Sequence, residues 1–242
     1  MKIFGKTDIG KIRETNQDCY AAGDGGAEMA WAVVCDGMGG PAGGNIASDA
    51  AAKAMSEAIS SKYKPNMSHR SIKNMMLSAV NGANVKVFDM SRANSELNGM
   101  GTTVVAAVVS GGAAHIVHVG DSRAYIVSGD SIEQLTSDHS LVQQMVDLGK
   151  ITAEEARTHP QKNIITKAIG IDEAVEADYT ERRFERGDII LLCTDGLTNS
   201  LTDEEIHSII AENPGGKFVD VLVERANLNG GGDNITVVGI TD

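Results

Sequence analysis

Short apolar runs and longer helical periodicities alternate along the chain. The segments 29–35, 102–109, 113–119, 124–127, 189–193 and 235–240 are apolar on both faces and too short for helices. They predict buried strands. Ser110-Gly111-Gly112 and Ser128-Gly129-Asp130 are turn signals between such runs. Runs separated by so few residues are expected to be antiparallel neighbours, since a parallel crossover needs about a dozen residues. The middle of the chain therefore reads as an antiparallel meander.

Between these blocks the period changes. Over 44–63, Ala47, Ala50, Ala51, Ala54, Ala58 and Ile59 fall near helical spacing. Over 68–92, Ile72, Met75, Met76, Ala79, Val80, Ala83 and Val87 do the same, with Ser68 as N-cap and the methionines as core filler. Thr202 and Glu205 form a capping box that opens a third helix, which Asn213-Pro214-Gly215-Gly216 stops. A fourth helix is expected over 217–226.

Strands apolar on both faces need cover on both faces. The expected fold is therefore α+β: a four-layer α-β-β-α sandwich of two mainly antiparallel sheets with helices outside. No repeat or long linker divides the chain, so residues 1–242 read as a single domain. The stretch 138–170 fits the pattern badly. It carries a second capping box, Thr152 with Glu155, and a break at Pro160, and reads as an insertion packed on the rim.

Composition narrows the function. The formal net charge of −12 argues against nucleic acid and anionic membrane, which need a basic face. No stretch approaches the roughly 18 apolar residues of a membrane span, and the N-terminal residues lack an apolar signal core. The three cysteines, Cys19, Cys35 and Cys193, form neither a disulfide framework nor a zinc knuckle. They are read as small buried hydrophobes rather than redox sensors. A cytoplasmic monomer is expected.

The aspartates carry the chemistry. Asp36, Asp121 and Asp195 end apolar runs, Asp233 follows a glycine run before a strand, and Asp18 lies near the start. One such residue is ordinarily a turn-former. Several carboxylates gathered at one end of a sandwich would resist ionisation unless a cation joined them. Oxygen-only ligands select Mg²⁺, Mn²⁺ or Ca²⁺. The six histidines form no His-x-x-x-His pair, so zinc gains no support. Gly37, Gly39 and Gly40 can take positive φ and bring backbone close to an ion. The spacing also suits a two-metal site with ions about 3.5–4 Å apart and an activated water between them. Arg13, close to Asp18 in sequence, is a candidate bidentate clamp on phosphate. Metals with a guanidinium describe phosphoryl chemistry.

These residues also lie in motifs. Arg13-Glu14-Thr15-Asn16-Gln17-Asp18, Val34-Cys35-Asp36-Gly37-Met38-Gly39-Gly40, Gly101-Thr102-Thr103, Val119-Gly120-Asp121-Ser122-Arg123, Leu192-Cys193-Thr194-Asp195-Gly196-Leu197 and Gly232-Asp233-Asn234-Ile235-Thr236 occur in this order. With them the chain resembles the bacterial branch of the metal-dependent protein phosphatases of type 2C, from Gly10 to Gly239. The resemblance implies a dinuclear Mn²⁺ or Mg²⁺ centre, with Asp36 bridging, Gly37 offering its carbonyl, and Asp195 and Asp233 completing the shell. It further implies that Asp18 holds metal-bound waters, that Asp121 with Asp195 takes a weaker third metal, and that Arg13 clamps phosphate. Residues 138–170 resemble the mobile flap of bacterial members, with Met145 and His159 as candidate substrate contacts. Two positions depart from animal members: Met38 replaces a histidine proposed as general acid, and Gln17 replaces a glutamate. Met38 cannot donate a proton, which leaves the leaving-group acid open; a metal-bound water could serve.

The implied activity is hydrolysis of phosphoserine and phosphothreonine in proteins, opposing a cognate Ser/Thr kinase. Alternatives are a phosphatase of a sigma-factor antagonist, a catalytically weak relative acting as a regulatory binding module, and a Ca²⁺-binding structural domain. The last leaves Arg13 and the flap unexplained.

Overall fold

The computed structural model describes residues 1–26 and 28–242, with Pro41 and Ala42 described by backbone only. In chain order the elements are β1 (Lys2–Asp8), β2 (Asp18–Asp24), β3 (Met29–Met38), α1 (Gly40–Lys62), α2 (His69–Ala93), β4 (Gly101–Thr102), β5 (Val104–Ser110), β6 (Ala113–Val119), β7 (Arg123–Ser128) and β8 (Ser131–Gln134). Then follow α3 (Leu141–Asp147), α4 (Ala153–Thr158), β9 (Asp178–Arg183), β10 (Ile189–Cys193), α5 (Asp195–Thr198), α6 (Asp203–Glu212), α7 (Phe218–Leu228) and β11 (Ile235–Thr241).

One sheet has the order β1-β11-β10-β7-β8 and the other β2-β3-β5-β6-β9, with β4 paired to β3; every pairing among the described residues is antiparallel. Strand alternation sorts the apolar residues into three cores. Val33, Cys35, Val104, Ala106 and Val117 face α1 and α2. Ala32, Val34, Val105, Ile190, Leu192 and Val238 pack between the sheets. Tyr125, Leu191, Cys193 and Val237 face α6 and α7. This is the expected four-layer sandwich.

All three predicted caps are formed. The Ser68 side chain accepts from Ser71 N–H, and Thr202 and Glu205 satisfy each other's backbone donors reciprocally. The Thr152–Glu155 box caps α4 in the same way.

The meander is corrected at one point. β5 and β6 pair as expected, but β6 and β7 belong to different sheets. The Gly120-Asp121-Ser122 corner carries the chain across the sandwich rather than around a hairpin. Gly120 makes the corner at φ 108°, and a Cβ there would collide with the Thr103 side chain. Thr103 in turn interrupts the run predicted as one strand over 102–109, because its N–H turns to the Asp36 carbonyl at 2.8 Å.

The 138–170 segment contains α3 and α4 and hangs from two clasps. At one root, His139 N–H donates to Gly120 O (3.0 Å). At the other, Thr102 and Ile169 exchange backbone bonds of 3.0 and 2.8 Å. Asn84, buried on α2, braces the second root by accepting from Gly170 N–H and donating to the Asp172 and Glu173 carbonyls. α4 ends at Thr158, ahead of the extended His159 that Pro160 requires.

Candidate metal and phosphate site

The inter-sheet core turns polar at one end. On β3 the inward face runs Ala30, Ala32, Val34 and then Asp36, two residues inside the strand rather than at its end. The β10 face continues from Leu192 to Thr194, the β11 face from Val238 to Thr236, and the β5 face from Val105 to Thr103. Asp18 opens β2 directly opposite Asp36 as its Cα partner. The alternation that builds the core thus also delivers two aspartates and three threonines to a common floor.

The threonines hold this floor in place. Thr194 and Thr236 hydroxyls donate to Asp18 Oδ2 at 2.8 and 2.7 Å, while the buried Asp18 Oδ1 has no partner among the described residues. Thr103 Oγ1 accepts from Asp36 N–H at 2.9 Å and shares a hydrogen bond with Ser122 Oγ. Asp195 begins α5; its Oδ2 accepts from Asn199 Nδ2 at 2.9 Å, and its buried Oδ1 is likewise without a hydrogen-bond partner among the described residues.

Burial decides the electrostatics here. It pushes the Asp18 carboxyl up to about 7 despite the two threonine bonds, Asp121 up to about 8 with help from the charge of Asp195, and Asp195 up to about 6 with help from Asp233. Asp36 is pushed well above the usual range by burial and then by Asp18, Asp195, Asp121 and Asp233. Carboxyls with orphaned buried oxygens and a shared resistance to ionisation fit a site that binds a cation. The all-oxygen donor set fits Mg²⁺ or Mn²⁺.

Arg13 does not stand free. Its Nε and Nη2 lie 2.8 Å from Asp233 Oδ1 and Oδ2, a bidentate grip on a second acidic residue of the site. The loop that carries Arg13 is fixed by Asn234. Its amide donates to the Ile9 and Thr15 carbonyls, and its Oδ1 accepts from Gln17 N–H.

Gly37 works by space rather than by positive φ, which only Gly39 and Gly40 of the three adopt. A Cβ on Gly37 would strike the Gly44 carbonyl in the first turns of α1. Cys35 points away from Asp36 into the helix-facing core, and burial pushes its thiol and that of Cys193 upward.

A cleft of about 720 Å³ opens over this floor, lined by Arg13, Asp36, Gly37, Met38, Asp121, Asp195 and Asp233, with Asn163 and Ile165 reaching it from the 138–170 segment. A second cavity of about 390 Å³ shares Asp121 and Asp195 and runs beneath α3 and α4. Of the predicted site residues, the structure brings Arg13, Asp36, Gly37, Asp121, Asp195 and Asp233 together at the cleft, with Asp18 buried against Asp36. Met145 and His159 line neither cavity; His159 instead accepts from Gln161 N–H.

Sequence spacing also missed a histidine cluster. His118, His139 and Asp178 bring one ligand atom each within 4.8 Å of one another, the one such trio among the described residues.

Comparison with known proteins agrees in extent and in shape. A profile of the family described as "Protein phosphatase 2C" matches residues 11–230. The serine/threonine phosphatase stp of Listeria innocua is 36% identical over 234 residues, covering 96% of this chain and 92% of its own. The structure of the serine/threonine phosphatase Stp1 from Staphylococcus aureus superposes with a TM-score of 0.93 at 34% identity, covering 100% of this chain and 94% of its own. The catalytic domain of the serine/threonine protein phosphatase PstP, solved in complex with 2 manganese ions, gives a TM-score of 0.87 at 32% identity, covering 100% and 98%.

Proposed function

The chain belongs to the protein phosphatase 2C family and is a metal-dependent protein serine/threonine phosphatase; from that premise we propose that its cleft holds a dinuclear Mn²⁺ or Mg²⁺ centre and hydrolyses phosphoserine and phosphothreonine in one step. The observation that carries this is the two buried carboxylate oxygens, Asp18 Oδ1 and Asp195 Oδ1, that find no partner among the described residues. The presence of 2 manganese ions in the similar PstP domain supports the count and the class of ion.

Asp36, Asp195 and Asp233 with the Gly37 carbonyl would hold the ions, and Asp121 with Asp195 a weaker third. Bound there, the ions supply an activated water and Lewis-acid neutralisation of the phosphoryl charge. Asp18, held on one oxygen by Thr194 and Thr236, keeps the other for ordering water. Arg13 binds the phosphate by exchanging the Asp233 carboxylate for the phosphate oxygens, both of which the guanidinium fork can grip with two parallel hydrogen bonds. No histidine lines the cleft among the described residues, and Met38 stands where a proton donor is otherwise expected. Water ordered by the carboxylates therefore protonates the leaving oxygen.

We place the enzyme in the cytoplasm as a monomer, where its three free thiols stay reduced, working against a Ser/Thr kinase on phosphoprotein substrates. Among the described residues no helix is long and apolar enough to cross a membrane.

The test is phosphate release from a phosphothreonine peptide in Mn²⁺, with and without excess chelator. Release should require the metal and return when Mn²⁺ or Mg²⁺ is restored, with Ca²⁺ supporting little turnover. Full activity in chelator would overturn the metal assignment.

A further inference from the structure

The His118–His139–Asp178 trio has the spacing of a metal site, but its hydrogen bonds assign it another role. Gly120 N–H donates to His139 Nδ1 at 3.1 Å, while His139 N–H donates back to Gly120 O at 3.0 Å. Nδ1 is therefore a lone-pair acceptor, and the neutral ring carries its proton on Nε2. A metal on Nε2 would move that proton to Nδ1, where it would face the Gly120 N–H.

The surroundings favour the tautomer that is seen. Asp178 Oδ2 stands 3.4 Å from His139 Nε2, which has no other polar partner among the described residues. A carboxylate at that position keeps the proton on Nε2 and so keeps Nδ1 open. The His118 ring stacks on His139 at 4.6 Å and 17°, and is itself anchored by Nε2 donating to Ser137 O at 2.8 Å. His139 is buried at the root of the 138–170 segment.

The residue it grips is the corner where the chain changes sheets. Gly120 has φ 108°, and Asp121 follows it directly into the cleft. A bent backbone with no side chain of its own needs external partners to fix it, and His139 satisfies both of its polar groups. We propose that His139, oriented by Asp178, is a positioning residue that holds the Gly120–Asp121 corner and thereby aims the Asp121 carboxylate. The proposal rests on the assignment of Asp121 as a metal-holding residue.

The test compares His139→Asn with His139→Gln, since an Asn amide oxygen reaches the place of Nδ1 and a Gln amide only that of Nε2. Turnover of a small aryl phosphate is followed against Mn²⁺ concentration, with thermal melting as a check on folding. His139→Gln should lose about 10–100-fold in activity or in metal response, the range for partners that orient a ligand. His139→Asn should recover most of that loss. In an Asp121→Ala background, His139→Gln should cost nothing further, because the group being aimed is gone.

Equal losses in both backgrounds, or a His139→Gln enzyme with unchanged metal response, would overturn the proposal. If the histidine variants fail to fold, the half-exposed Asp178 gives the same test. Asp178→Asn should lower activity in the native background and not in Asp121→Ala, and any other pattern counts against the relay. A fully active Asp121→Ala enzyme would instead sink the assignment of Asp121, a result separate from any loss at His139.

Discussion

Arg13 and Asp233 hold each other through both arms of the guanidinium, at 2.8 Å on each side. The pair joins the proposed phosphate clamp to a proposed metal-holding carboxylate, and on that proposal each must release the other when substrate and ion are present. Arg13 is half exposed, and the exchange therefore carries little desolvation penalty.

Arg13→Ala should act in two directions. KM for a phosphoester should rise about ten-fold, more than kcat falls, because a charge-assisted contact to the phosphate is lost. Mn²⁺ affinity measured by calorimetry should increase, because Asp233 no longer has a competing cation. Arg13→Lys should restore little of the KM, since a point charge cannot make the bidentate contact. Unchanged metal affinity in Arg13→Ala would show that the pair does not compete with the ion.

Asp36→Asn, Asp195→Asn and Asp233→Asn should each abolish turnover, beyond the roughly 100-fold that outer partners are worth. Their effects on the metal-free protein should differ. Asp36 and Asp195 stand among other acids whose charges help push both carboxyls upward, so removing either charge should raise the melting temperature of the chelated protein. Asp233 is already paired with Arg13, and its replacement should lower or leave that temperature. A variant of Asp36 or Asp195 with near-normal kcat would remove it from the ligand set.

The same carboxyls make the metal-free protein sensitive to base. Asp18, Asp195 and Asp121 are pushed up to about 7, 6 and 8, and Asp36 well above the usual range. An unfolded Asp titrates near 3.9. The native state therefore binds more protons than the unfolded state between that value and the folded ones, and stability falls as pH rises through this window. The chelated enzyme should melt at a higher temperature at pH 5 than at pH 8, and saturating Mn²⁺ should reverse the order. A chelated enzyme with equal melting temperatures at both pH values would contradict the burial of these groups.

The apolar core strands were legible because they are apolar on both faces. β1, β2, β8 and β9 were not, because they are half-buried or polar. Asp178–Arg183 reads as an exposed charged stretch, yet it completes a sheet by pairing with β6. Asp36, Asp121, Asp195 and Asp233 could be found because each interrupts or adjoins an apolar run beside glycine, whereas Asp18 stood out only through its motif. The threonines that fix them could not, since Thr194, Thr236 and Thr103 look like ordinary strand residues until the two sheets are stacked. The sheet change at Gly120 was hidden for a related reason: a short connection between apolar runs ordinarily means a hairpin. The His139–Gly120 clasp and the Asp178 contact depend on that corner, so they were hidden with it.

The 138–170 segment is expected to govern substrate choice. α3 and α4 are held to the body by few large apolar side chains; Val142 and Ile169 are buried, while Leu148 and Ile164 are exposed. Segments with so little buried surface open at low free energy, and loops over a cleft commonly carry recognition. Met145 and His159 were the sequence candidates, but neither reaches the cavities, whereas Asn163 and Ile165 line the cleft itself. Ile165→Ala and Asn163→Ala should therefore change the ranking of phosphothreonine peptides, each by several-fold in kcat/KM, while hydrolysis of a small aryl phosphate changes little. Met145→Ala and His159→Ala should leave both within about two-fold, as surface changes do. The discriminating measurement is kcat/KM on a peptide panel and on the aryl phosphate for all four variants. Equal losses on both substrate types at Ile165 would mean that the residue supports the metal floor rather than reads the peptide. A shifted peptide ranking in Met145→Ala would place the recognition surface on the outer face of α3.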